Sequence, residues 1–249
     1  MTYTFEVAVD SLESAIIAQD CGVHRIELCA ALSIGGITPS HAMIALAKDR
    51  LHIPFNVIIR PRRGDFLYTE SEFDIMRGDI DYAKSMGANG IVLGVLHADG
   101  RIDVERTREL VELARPLEVT FHRAFDMAID PHKALDELIV LGVDTLLTSG
   151  QLPTAEQGLS VIAELVKQAD GRIRIMPGSG VNPANIKAIV DGSGASEFHF
   201  SGKKAVDSPM IYHNSTLSMG GKDVGSEYQR SYADADTIRA IIANAQNKE

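Results

Sequence analysis

Eight short runs of β-branched and apolar residues alternate with longer stretches of helical period, and this order constrains the fold more than any other feature of the chain. The strand runs are TFEVAV (4–9), RIELC (25–29), FNVIIR (55–60), GIVLG (90–94), EVTFH (118–122), TLLTS (145–149), RIRIM (172–176) and EFHFS (197–201). Between them lie segments such as SLESAIIAQDCG, DVERTRELVELAR and NPANIKAIVDGSG, most opening near Ser, Asp, Thr or Asn and several closing on Gly. A last helix, ADADTIRAIIANAQ (233–246), follows a polar loop from Gly202 to Tyr232. Strict alternation implies parallel strands joined by right-handed crossovers. Eight units in 249 residues predict an α/β fold of one domain over 1–249, a (β/α)8 TIM barrel with a long loop after strand 8. No Gly-x-Gly-x-x-Gly follows the first strand, which argues against an open dinucleotide-binding sheet.

A chain of this size buries a large core without covalent staples. Its two cysteines, Cys21 and Cys29, imply no disulfide framework, and a reducing compartment fits. A net charge of −10 argues against nucleic acid or an anionic membrane as the main partner, since both require concentrated Lys and Arg. No apolar run approaches the roughly 18 residues of a membrane span. MTYTFEVAVD reads as a strand and not as a signal peptide, so the expected location is cytoplasmic.

Side chains two apart on a strand share a face. On the first strand Phe5, Val7 and Val9 form the apolar face that belongs beneath the helices, which sends Glu6 and Ala8 into the barrel. The same rule turns Glu27 and Cys29 inward, with Asn56, Ile58 and Arg60, Thr120 and His122, Thr148, and His199 with Ser201. Two carboxylates, a guanidinium and two imidazoles thereby meet at the C-terminal mouth, where barrels of this class keep their chemistry. The same groups would also serve as a buried, hydrogen-bonded ion network with no further role. The glycine-bearing turns Gly178-Ser179-Gly180 and Ser201-Gly202, after strands seven and eight, match the place where barrels bind phosphate through backbone N–H groups, with Lys203 or Lys204 adding charge. Arg62, Arg63 and Asp65 close over a ligand or cap the following helix; Arg123 on the outward phase makes a salt bridge behind the mouth, braced by Asp126. The loop 202–232 serves as a lid, a binding loop or a contact surface.

RIELCAALSIGGITPS (25–40), IIRPRRGDFLY (58–68), VTFHRAFDM (119–127), LTSG (147–150) and IMPGSGV (175–181) resemble the hallmark stretches of the CutC family, copper homeostasis proteins, across essentially the whole chain. The resemblance implies a cytoplasmic (β/α)8 barrel, a homo-oligomer, and a link to copper with Cu(I) binding. Many relatives carry Glu-Val-Cys or Glu-Ile-Cys on the first strand and Glu-Leu-Cys on the second. Here Ala8 takes the first position and Cys29 alone remains, so any Cu(I) site is expected to be weak and to use Cys29 with a nearby histidine or methionine.

Two classes of function follow. One is a copper-binding homeostasis protein without turnover. The other is a lyase or isomerase acting on a small anionic or phosphorylated metabolite. In that case Arg60 and the two turns hold the anion, and His122 or Glu27 acts as base or acid, with Asp126 or His199 orienting or sharing the proton. A divalent metal held by Glu6, Glu27 and a histidine is a variant of the second.

Overall fold

The computed structural model describes residues 3–214, 216, 217, 219 and 227–247. Eight parallel strands make the barrel: β1 (Thr4–Val9), β2 (Arg25–Leu28), β3 (Phe55–Ile58), β4 (Gly90–Leu93), β5 (Glu118–Phe121), β6 (Thr145–Thr148), β7 (Arg174–Pro177) and β8 (Glu197–Phe200). The helices are α1 (Leu12–Asp20), α2 (His41–Arg50), α3 (Glu70–Ser85), α4 (Val104–Ala114), α5 (Pro131–Val140), α6 (Leu159–Ala169), α7 (Ile186–Ser193) and α8 (Ala235–Gln246). Ladders run in the order β7-β6-β5-β4-β3-β2-β1-β8. β8 lies beside β7 and completes the circuit, but no ladder joins that pair.

Local chemistry sets the helix starts. Ser11, Ser40, Thr69, Asp103, Asp130 and Asp234 each accept a backbone N–H of the first turn, satisfying donors that would otherwise lack partners. At α3, Thr69 and Glu72 form a reciprocal capping box. The outward faces of the strands and the inner faces of the helices share one continuous core. Phe5, Phe73, Phe121, Phe125 and Phe198 are fully buried in it. Each such side chain contributes roughly 1.5–3 kcal/mol by leaving water.

Three expectations change. The seventh strand starts at Arg174, two residues later than RIRIM predicts. The segment after β8 is not wholly loop: β9 (Lys203–Asp207) and β10 (Gln229–Ala233) form an antiparallel ribbon, and residues 215, 218 and 220–226 of that segment lie outside the described residues. On β6 the inward phase belongs to Leu147. Thr148 instead donates to Asp126 Oδ1 at 2.5 Å, and TLLT offers a Thr on either phase, so alternation cannot choose between them. No helix among the described residues is long and apolar enough to cross a membrane.

Candidate functional site

The lumen begins at its floor with a chain of alternating charge. Glu118 accepts from Arg174 Nη2 at 3.0 Å, and Arg174 Nε reaches Glu197 at 2.9 Å. Glu197 accepts from Arg25 Nη2 at 2.8 Å, and Arg25 Nε donates in turn to Glu6. Glu6 Oε1 faces His199 Nδ1 at 2.9 Å, and Asn56 Nδ2 donates to Glu6 Oε2 at 3.2 Å. The other ring nitrogen, Nε2, stands 3.5 Å from Glu27. Burial pushes the Glu6 carboxyl up, yet Arg25 and His199 outweigh burial and hold it down at about 2. For His199 burial acts downward, but the hydrogen bond to Glu6 and the charge of Glu27 win and raise it. Glu27 is raised by burial and by the charge of Glu6, against the pull of His199.

Above this chain lies a cavity of about 270 Å³ at the C-terminal mouth. Glu27, Arg60, His122 and His199 all line it, as the strand alternation predicts. Ala8, Ile58 and Leu147 form its apolar walls, and Ser179, Gly180, Ser201 and Lys203 its far rim. Glu6 does not reach the cavity; it sits one layer below, where its carboxylate is spent on Arg25, Asn56 and His199.

His122 occupies space that only a glycine leaves free. A Cβ on Gly94 would come within 2.5 Å of its ring. Nδ1 accepts the Ala124 N–H at 3.2 Å, which puts the hydrogen of the neutral ring on Nε2, and Nε2 has no partner. Burial, reinforced by the charge of Arg60, lowers this histidine to about 3. Its free lone pair is taken by the backbone, so of the base or acid roles expected of His122 only donation from Nε2 is left.

Arg60 is 6% exposed. Nη1 donates to the carbonyls of Ile34 (3.2 Å) and Gly36 (2.9 Å), and Nη2 to Gly64 (2.9 Å). The guanidinium lies 5.1 Å from the centre of the Phe66 ring. No carboxylate pairs with it among the described residues, and Nε has no partner.

Other expected residues have different work. Asp126 accepts from Arg123 (2.7 Å), Thr148 and the N–H groups of Ser149 and Gln151, so it fastens the turn after β5 to the end of β6; it lines not this cavity but an adjoining pocket that shares Arg60, Phe66 and Arg123 with it. The Arg123–Asp126 bridge is the one expected from sequence, but Arg123 also borders the cavity, which its outward phase does not suggest; the short 3-10 turn at Arg123–Met127 breaks the strand alternation. Gly178 donates its N–H to Thr148 O, which removes it from the anion cradle; its missing side chain admits Leu147 and His199 instead. The N–H groups of Ser179, Gly180 and Ser201 have no protein acceptor among the described residues. Ser179 and Gly180 both take positive φ, +80° and +71°. Gly202 accepts from Asp234 N–H with its carbonyl and begins the ribbon. Lys204 pairs with Asp234, leaving Lys203 at the cavity. Arg62 binds Glu72 at 2.5 Å and Asp65 at 3.0 Å, which ties the β3–α3 loop to the capped start of α3.

The donors for copper fit poorly. Cys29 is buried beside Ile58, Val92 and Leu32, outside the cavity lining, with its thiol on the Glu27 carbonyl at 3.8 Å. Burial and the Glu27 charge raise this thiol well above its usual range, so the thiolate that Cu(I) prefers is disfavoured. Among the described residues no cluster of three or more His, Cys, Asp or Glu is arranged to hold a metal ion.

A family model described as the CutC family matches residues 3–204. A human protein named copper homeostasis protein cutC homolog is 47% identical over 98% of this chain and 90% of its own length. A CutC family protein of Chromobacterium violaceum is 46% identical, covering 97% of each chain. A solved CutC structure from Streptococcus agalactiae superposes with a TM-score of 0.77 at 33% identity, covering 80% of this chain and 99% of that one.

Proposed function

This chain belongs to the CutC family, and from that premise we propose that it takes part in copper homeostasis in the cytoplasm and works through the mouth of its barrel, holding a small anionic ligand there. The names of its relatives support the first half. One observation carries the second: Arg60, Arg123 and Lys203 border a single cavity together with the unpartnered His122 donor. The buried charge of Arg60, which no carboxylate pairs among the described residues, favours an anion. The residues around Cys29 do not fit a tight Cu(I) centre, so any Cu(I) site at Cys29 in this reading is weak. Two free cysteines suit the reducing cytoplasm. A homo-oligomer, as the family resemblance implies, remains part of the proposal, with exposed Met210, Ile211 and Tyr212 as apolar surface available to it.

Titration with Cu(I) under strict reduction tests the metal half. The expected result is weak binding that Cys29→Ala abolishes; tight one-to-one binding that survives Cys29→Ala overturns this account of the copper site. Complementation tests the link between copper and the mouth. In cells lacking this protein, the wild type is expected to restore copper tolerance and Glu27→Gln to fail at equal abundance. Equal rescue by both would separate the copper role from the cavity.

A second reading, an enzyme of lyase or isomerase type, rests on the pairing of His199 with Glu6 and Glu27 at the cavity. His199 is held between Glu6 and Glu27, and Glu27 keeps its proton to higher pH than an ordinary glutamate. Glu27 then exchanges a proton with the bound ligand, and Glu6 fixes the orientation of His199. Incorporation of solvent deuterium into a carbonyl metabolite, lost in Glu27→Gln, is the expected sign; no incorporation across a panel of such metabolites counts against it.

A further inference from the structure

The cavity has two differently built ends. At one end, Arg60 and His122 flank the same Phe66 ring, the guanidinium 5.1 Å and the imidazole 4.9 Å from its centre. Arginine has five N–H donors. Three of them go to carbonyl oxygens, and the buried Tyr68 hydroxyl also lies within reach of the guanidinium, so at most Nε–H and one hydrogen of Nη2 are left. His122 adds its unpartnered Nε2–H; this atom and Arg60 Nε are both shielded from solvent, so a ligand meets them only as the two side chains shift toward the cavity. Both side chains are more than nine-tenths buried and both line the cavity. Leaving such donors unmatched in a dry setting is costly, and a guanidinium edge suits the two parallel acceptors of a carboxylate. Because His122 stays neutral down to about pH 3, its hydrogen is available as a donor throughout the neutral range.

The opposite end is main chain. Ser179 and Gly180 offer N–H groups in a positive-φ turn, and Lys203 lines the same cavity. Backbone N–H groups with an adjacent cation match the several oxygens of a phosphate and not a planar carboxylate. Between the ends, Ile58 and Leu147 provide apolar wall, over the Glu27–His199 pair. At about 270 Å³ the space lies near the lower end of the ~300–1,000 Å³ common for small-molecule pockets, and an adjoining pocket shares Arg60, Phe66 and Arg123 with it, so a small ligand fits.

We infer that the ligand is a short phosphorylated carboxylic acid, its carboxylate on Arg60 and His122 and its phosphate on the turn after β7 with Lys203. The inference rests on reading the mouth as an anion site and goes further by assigning each end its own group.

Calorimetry on the full chain separates the two levels. The probes are 2-phosphoglycolate and 3-phosphoglycerate, which differ in span, with glycerol 3-phosphate carrying phosphate alone and glycolate carrying carboxylate alone. At least one of the first two is expected to bind about tenfold more tightly than either single-group probe, the gain of one charge-assisted contact. Arg60→Lys, with its fold verified by circular dichroism, is expected to lose that advantage while keeping its affinity for glycerol 3-phosphate. If glycerol 3-phosphate binds and neither phosphorylated acid binds more tightly, the two-ended assignment is overturned and the anion site stands. Absence of binding by all four at millimolar concentration overturns the mouth as an anion site as well.

Discussion

At the floor of the lumen Arg25 and Arg174 each have two carboxylate partners, whereas at the mouth Arg60 has none among the described residues and spends its donors on carbonyl oxygens. Two histidines line the mouth and are pushed in opposite directions: His199, which reaches down to the paired layer, is raised by Glu6 and Glu27, and His122 is lowered by burial and Arg60. A closed set of pairs needs nothing further and serves stability. An open set, with donors unmatched in a cavity, is where an added molecule completes the electrostatics. The contrast is therefore the physical ground for placing function at one end of a lumen that is charged throughout.

The largest test breaks the closed end. Arg25→Met strands Glu6 and Glu197 without their common partner, and removal of one member of a buried ion pair costs about 3–5 kcal/mol. Arg60→Met leaves no buried carboxylate behind, so its cost is expected to be smaller, about 1–3 kcal/mol for the carbonyls that lose a donor. Urea denaturation of both variants checks the order, and a larger loss at Arg60 would reverse the comparison. Gly94→Ala comes next. Its methyl group would collide with the His122 ring and is expected to cost about 1–3 kcal/mol through displacement of that ring, measured in the same way.

The histidines sharpen the contrast through pH. The lowered His122 means that the unfolded chain binds an extra proton between its folded value of about 3 and the ordinary 6.5, so this residue costs stability as pH falls through that window. The raised His199 works the other way: its contribution is fully present below 6.5 and is lost as pH rises through its folded value. Stability curves from pH 4 to 9 should therefore lose acid sensitivity in His122→Gln and alkaline sensitivity in His199→Gln; exchange of the two effects would refute the assignment. The smallest effect concerns Cys29. Its high thiol pKa and burial predict no measurable alkylation by iodoacetamide in the folded state, and rapid labelling followed by mass spectrometry would show the site to be open.

Much of the mouth was legible because parallel barrel strands impose a period of two, and Glu27, Arg60, His122 and His199 each sit on, or just past the end of, a strand whose other face is wholly or mainly apolar. The same rule contained the floor as well: Arg25 precedes Glu27 by two residues, and Glu197 precedes His199 by two. What alternation cannot supply is depth. Glu6 shares the inward phase but belongs to the paired layer below, and only the register of Glu6 against Arg25 and His199 separates them. Asp126 and Arg123 lie in a short 3-10 turn, where no period predicts direction. The ribbon escaped notice because KKAVD and QRSYA are polar and exposed, and their pairing spans more than twenty intervening residues.

The unjoined pair β7 and β8 has a mechanical consequence. A ring of strands with one open seam resists deformation least across that seam, and the turns that follow its two edges are the ones carrying Ser179, Gly180 and Ser201. A molecule gripped from both edges at once acts as a clasp on the hoop, so occupancy and stiffness become one quantity, readable as slowed amide exchange along β7 and β8.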